Sequence, residues 1–408
     1  MLGLVGMGLA AIPGGAMSER PRYLVGYSEI RTNLPGRHAN TVSQRACLVR
    51  ADGRGRRMLA TALTRKPNTW SAFTGWSPDG RQAIIGVGWE SPENGAWEQE
   101  HGEFRFSAEG WLLDSYLLDL ATGKLTNLTA VGRVSCYNYG TSFWPGHPGK
   151  LLFTALVEGS SHPWSMDLDG RHKRDLSGGG PGYIYGVSVS PDGKRMAYHK
   201  DYQVYVAAAD GSGARHLETG NPFNFCPTWS PDGRWLVFVS GEHYDCHPYL
   251  ARPDGTELRR LASRGGYRGV VAFLDVPDFH GGSSDVPVWS PDSRWVYYTA
   301  RVGEAVELMR ASPAGEVEQL THSAPGVLHY HPSLSPDGRW LLYGSNRDGV
   351  RQLYVARADG RDAYPITHLH PGRAAMWAHW QPVAWEPVTA AAAKGSRRYG
   401  RGSPSHPW

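Results

Sequence analysis

The stretch Leu328–Pro332, LHYHP, holds two histidines one residue apart, His329 and His331. Positions i and i+2 of a strand point to one side, so two imidazoles are expected to face a common space. With carboxylates nearby, such a pair suits a divalent metal: Mn, Ca or Zn. A third ligand would come from His280 or Asp285, in the long stretch 265–287. The same pair could instead hydrogen-bond to its surroundings and serve structure alone. A hydrolase would need two carboxylates at a fixed separation, drawn from Glu29, Glu90, Glu242, Asp245, Asp275 and Asp278. No G-x-S-x-G elbow, H-E-x-x-H or Gly-rich phosphate loop occurs.

The elements that must position these residues repeat. WSPDGR occurs at Trp76–Arg81 and Trp229–Arg234, with variants at Ser188–Lys194, Trp289–Arg294 and Leu334–Arg339 and a degenerate copy at Phe143–Lys150. Pro presets φ and Gly tolerates positive φ, so each copy reads as a tight turn between strands. Short alternating apolar runs follow, such as RWLVFVS and RWLLYGS, and then a second run such as QLYVARADG. Four strands per unit make one propeller blade. Met376–Trp385 lacks a blade after it, and the N-terminal RYLVGYS lacks a first strand before it. The expectation is an all-β, seven-bladed β-propeller over 22–387, its first blade completed by the C-terminal strand, which removes exposed sheet edges.

Chain direction puts the SPDG turns at one end of the propeller. Segments leading into first strands, and those joining second to third strands, lie at the other. Ten of the 17 histidines fall in the latter: His38, His101, His162, His199, His243, His247, His280, His329, His331 and His379. Function is expected at that end.

Composition agrees with a turn-dense, aromatic-rich β protein: Gly 51, Pro 29 and Trp 16 in 408 residues. Net charge is +4 with both signs interspersed and no basic run, which argues against nucleic acid. Residues 1–21 read as an export-signal remnant or a flexible start, and 388–408 as a flexible tail. A periplasmic or secreted protein is expected, with no membrane span and a monomer favoured. Cys47, Cys136, Cys226 and Cys246 show no zinc-type spacing.

The WSPDG(K/R)–apolar–DG–YV–ADG unit resembles the repeat of TolB-like propellers, which the resemblance extends over nearly the whole chain. The motif is specific for fold and poor for function. HYHPSLSPDG is also similar to the metal-binding segment of oligogalacturonate lyases, which cleave uronate polymers by β-elimination using manganese. That likeness implies metal ligands at His329 and His331, and its nearest match to the family's base is His243. Two positions depart from the family: Gly326 stands where the lyases have a glutamine ligand, and SSDVPVW lacks their other histidine.

Taken over as chemistry, the resemblance implies an acidic oligo- or polysaccharide as partner. Abstracting a proton alpha to a uronate carboxylate needs its charge neutralised and a base near neutral pKa. Tyr267, Arg268, Arg31, Lys200 and Arg347 are candidates to grip an anionic sugar, with Glu242, His199, His247 and His379 beside them. Trp377, Trp380, Tyr244 and Trp89 offer stacking faces. The alternative is a non-catalytic TolB-like propeller that binds a peptide or cell-envelope partner with the same mouth.

Overall fold

The computed structural model describes residues 20–102, 105, 110–130, 135–136, 141–147, 149–157, 160–268 and 285–384. His280, Asp275, Asp278, the apolar start and the C-terminal tail lie outside them.

Within these residues the strands form seven antiparallel sheets. Blade 7, for example, runs outward from His329–Leu334 through Trp340–Ser345 and Gln352–Arg357 to Tyr364–Pro365. Blade 1 takes its innermost strand, Arg373–Trp380, from the C-terminal end and adds Leu24–Arg31, Arg45–Arg50 and Arg57–Met58. The expected seven-bladed ring with a mixed first blade is thus what the chain forms.

The SPDG turn works as a small hydrogen-bond unit. In blade 5, Ser230 Oγ donates to Asp232 Oδ1 at 2.6 Å and accepts the N–H of Trp235 at 2.9 Å. The same Asp232 oxygen accepts the N–H of Arg234, and Gly233 N–H closes on the Ser230 carbonyl. Serine, aspartate and glycine therefore each satisfy a specific backbone demand of the reversal. The tryptophan before the motif has a different task. Trp76, Trp229, Trp289 and Trp380 each donate their indole N–H to a carbonyl of the preceding blade, at 3.0–3.3 Å.

Apolar clusters fill the spaces between adjacent blades. Blades 1 and 7 meet through Val25, Tyr27 and Val49 against Trp340, Leu342 and Val355, and blades 4 and 5 through Val204 and Leu217 against Trp229 and Phe238. Burial of each large apolar side chain contributes roughly 1.5–3 kcal/mol.

Two of the segments joining second to third strands contain helices. Arg37–Val42 follows the second strand of blade 1, and Pro92–His101 follows that of blade 2. The second helix has readable signals: Ser91 caps the Asn94 N–H, Pro92 sits at the first helical position, and Gly102 ends it at φ 65°. A buried charge cluster ties the two together. Arg37 Nη2 lies 2.6 Å from both Glu90 Oε1 and Glu98 Oε2, and His38 Nδ1 is 2.8 Å from Glu90 Oε2.

Candidate functional site

The first strands of blades 1, 2, 4, 5 and 7 each carry a β-bulge. In four of them the residue four before the turn's first position has positive φ: Gly186, Cys226, His331 at 50° and Trp377 at 49°. A bulge re-aims the side chain it carries. It also corrects the expectation that His329 and His331 share a side, because the register slips between Tyr330 and Ser333.

His329 turns into the joint between blades 6 and 7 and is fully buried. Its Nε2 pairs with Ser323 Oγ at 2.9 Å, and that hydroxyl donates to Glu307 Oε2 at 3.0 Å. Glu307 also accepts the Ser323 N–H at 2.6 Å and the Thr321 hydroxyl at 2.5 Å. Burial, with a smaller contribution from the Arg347 charge, depresses the His329 imidazole to about 3. Neutral at ordinary pH, it clasps two blades.

His331 is half-buried and faces the next blade, its ring stacked against Trp377 with centroids 5.9 Å apart. His379, two residues beyond Trp377, lies 6.0 Å from the Phe73 ring and is held down at about 4 by burial and by the His331 charge. His331 and Trp377 thus bring an imidazole and an indole together across the joint between blades 7 and 1. Behind them, Asp285 accepts the His331 backbone N–H at 2.9 Å and the Thr299 hydroxyl at 2.5 Å. Buried Arg264 donates to the Thr299 carbonyl at 3.1 Å and offers its own N–H to His247 Nδ1 at 3.2 Å. The Arg264 guanidinium stands 4.8 Å over the Tyr267 ring. Tyr267 in turn neighbours Arg351, whose guanidinium burial lowers below the ordinary arginine value.

The other sequence candidates scatter. His199 is fully buried between Tyr185 and Phe225, and its Nδ1 accepts the Cys226 N–H at 3.2 Å. It holds a bulge, and His247 is likewise buried as an acceptor. Burial, then the Arg260 charge, lowers His247. Arg347 packs its head group over Tyr354 at 4.8 Å and donates to the Tyr343 hydroxyl at 2.8 Å. Arg31 is exposed beside Asn33, Lys200 is half-buried near Gly182, and Glu242 is exposed. His243 sits on the rim, 5.0 Å from Phe223 and 4.0 Å from Tyr244, with Arg268 5.7 Å over the Tyr244 ring.

Two of the hydrolase carboxylates are committed elsewhere. Glu29 pairs with Arg56 and, at 2.6 Å, with Arg373, and Glu90 belongs to the Arg37 cluster. Among the described residues no three His, Cys, Asp or Glu side chains converge as a metal site. With His329 bonded to Ser323 and Asp285 to Thr299 and a backbone N–H, the described donors do not fit a manganese-type centre.

Sequence reading overlooked Arg351, Arg264 and the Ser323–Glu307 pair. Arg351 follows a turn with no distinguishing motif. Ser323 carried a signal only through its place in the segment leading to blade 7.

Residues 190–383 match the TolB beta propeller domain, PD40. The chain is 27% identical over 206 residues to an uncharacterized peptidase, YuxL, of Bacillus subtilis, covering 38% of this chain and 28% of that protein. It is 32% identical over 164 residues to the Tol-Pal system protein TolB of Bordetella pertussis, covering 40% and 33%. It is 25% identical over 170 residues to an oligogalacturonide lyase of Pectobacterium atrosepticum, covering 38% and 43%. The matched part therefore spans less than half the length of each of these relatives. A solved oligogalacturonate lyase in complex with manganese superposes with a TM-score of 0.53 at 16% identity, over 80% of this chain and 84% of that one. That likeness shows the fold. Repeat grammar, architecture and matched domain agree on the fold: the chain is a seven-bladed β-propeller, and its residues 190–383 match the TolB beta propeller domain.

Proposed function

We propose that the protein binds an acidic oligosaccharide at the insertion-bearing mouth and cleaves it by β-elimination. The observation that carries this reading is the bulge that turns His331 out of its strand and onto Trp377. An imidazole base thereby lies beside a flat indole on which a sugar ring can rest.

In this reading His331 removes the proton from the carbon alpha to the uronate carboxylate. The electron pair left behind forms the carbon–carbon double bond as the glycosidic carbon–oxygen bond breaks. The departing oxygen takes a proton, a role suited to the Tyr267 phenol. Arg351 and Arg268 offset the charge that builds on the carboxylate. Among the sequence candidates, His331 takes the base role from His243, which stands exposed on the rim. No step runs through a metal. The limited identity to the oligogalacturonide lyase supports the substrate class.

Incubating the protein with polygalacturonate and with defined oligogalacturonates, and following the absorbance of unsaturated uronate products, tests the proposal. Product formation that disappears in His331→Gln is expected. No product from the native protein on any of these substrates overturns it.

A second reading is a non-catalytic binding propeller. It is favoured by the burial of His199, His247 and His329, which are used to hold blades and bulges. It predicts oligogalacturonate binding without turnover, or capture of a peptide partner by the same mouth.

A further inference from the structure

The two-residue hairpins at the mouth end differ between blades in a way that costs backbone energy. Blade 6 joins Val302 to Ala305 through Gly303 and Glu304, with Gly303 at φ 59°. That is the residue type a left-handed turn position favours, because it has no Cβ to clash. Blade 4 makes the same connection with Asp201 and Tyr202, at φ 47° and 64°. Blade 5 uses His243 and Tyr244, with Tyr244 at φ 61°. A tyrosine at a left-handed position is strained, and such strain persists where the side chain is needed.

The two tyrosines meet in one aromatic group. Tyr202 lies 5.2 Å from Phe223 and 5.6 Å from Phe225, and Phe223 stacks on His243 at 5.0 Å. Tyr244 closes the group at 4.0 Å from His243, with the Arg268 guanidinium 5.7 Å from its ring centroid. Tyr202, Phe223 and Tyr244 are only half-buried, and His243 is exposed. The group adjoins Cys226, the blade 5 counterpart of His331 in the bulge positions. The flat rings therefore form one aromatic group shared by blades 4 and 5.

We propose that this platform is a secondary subsite that seats sugar rings remote from the cleavage point, so that the ligand is an extended oligosaccharide. This rests on the proposed function. The exposed carboxylates Glu242 and Asp245 flank the platform, and Arg268 supplies the nearby positive charge. Its recognition is therefore of ring faces, through stacking, more than of uronate charge.

The test is calorimetric titration of the native protein, Tyr244→Gly and Tyr202→Gly with di-, tri-, tetra- and hexagalacturonate, with thermal unfolding of each protein. Native affinity is expected to rise with oligomer length. Tyr244→Gly is expected to bind the hexamer about tenfold more weakly, with binding of the dimer unchanged. Its Tm is expected to hold or rise, because glycine relieves the left-handed strain. Tyr202→Gly checks the neighbouring ring in the same way, its effect on length dependence being read separately from any packing loss. Equal native affinity for dimer and hexamer overturns the subsite and leaves the proposed function standing. Loss of Tm in Tyr244→Gly with unaltered hexamer affinity also overturns it, marking the ring as packing. Failure of the native protein to bind any of the four overturns both readings.

Discussion

The carboxylate of Asp285, in the approach to blade 6, accepts the backbone N–H of His331 in blade 7 at 2.9 Å. Its other oxygen accepts the Thr299 hydroxyl. A residue with positive φ is thus held by its neighbour blade, and the imidazole direction is set by a contact 46 residues away in sequence. Blades 4 and 5 repeat the device, with His199 accepting the Cys226 N–H.

Replacing Asp285 by alanine leaves a part-buried N–H and a buried hydroxyl without their acceptor, at a cost of roughly 1–3 kcal/mol. Asp285→Asn keeps one acceptor oxygen and is expected to lose less. Denaturant unfolding measures both, and equal stability of Asp285→Ala and native protein contradicts the bulge-holding role.

Within the proposed chemistry, Trp377→Ala and His331→Gln are expected to act differently. The tryptophan change removes the sugar platform and raises KM. The histidine change lowers kcat at least a hundredfold, the usual contribution of a positioned base. Steady-state kinetics on oligogalacturonate separates the two, and identical effects would argue that both residues only support the fold.

Stability is expected to fall in mild acid. His329 and His379 keep imidazole values of about 3 and about 4, against 6.5 when exposed. An unfolded chain therefore takes up protons below pH 6.5 that the folded chain refuses. Their contribution is complete above pH 6.5 and is lost as pH drops toward about 3. His38 has the opposite sign: its bond to Glu90 raises it. What it contributes is full below the exposed value and declines as pH rises through its raised folded value. Thermal unfolding from pH 4 to 8 should show the acid loss shrink in His329→Gln, and an unchanged profile counts against the assignment.

The charge cluster between the two insertion helices is buried on both partners. Arg37→Met strands Glu90 and Glu98 together and is expected to cost about 3–5 kcal/mol. The double change Arg37→Met with Glu90→Gln should recover part of it. A double-mutant cycle in urea measures the coupling; purely additive losses would mean the helices are held by packing.

Manganese is expected not to raise Tm, because a ligand stabilises only in proportion to its binding to the folded state and His329 is engaged by Ser323. Ser323→Ala should lower Tm by breaking the clasp. A manganese-dependent increase in Tm that vanishes in His331→Ala would show that a metal site forms.

Much of the architecture was legible because it is local. Pro, Asp and Gly of each turn meet the needs of their own reversal, and period-two runs beside them make strands wherever they stand. The ring closure was legible too, from Met376–Trp380 aligning with the strands before other turns. The helix at Pro92–His101 was signalled by its caps but masked by a polar face around it.

The site divided differently. That His329 and His331 lie outside the repeat's own grammar can be read from the chain alone. Which way each points cannot. Strict alternation puts them on one side, while a single extra residue in the bulge sends one into a blade joint and the other to Trp377. That bulge is stabilised by Asp285, and the clasp by Ser323 and Glu307, from segments that only ring closure brings near. The sequence by itself determined the blades and their number. Tertiary structure alone decided how deeply each histidine is buried and which groups it meets, because those partners are supplied by a neighbouring blade.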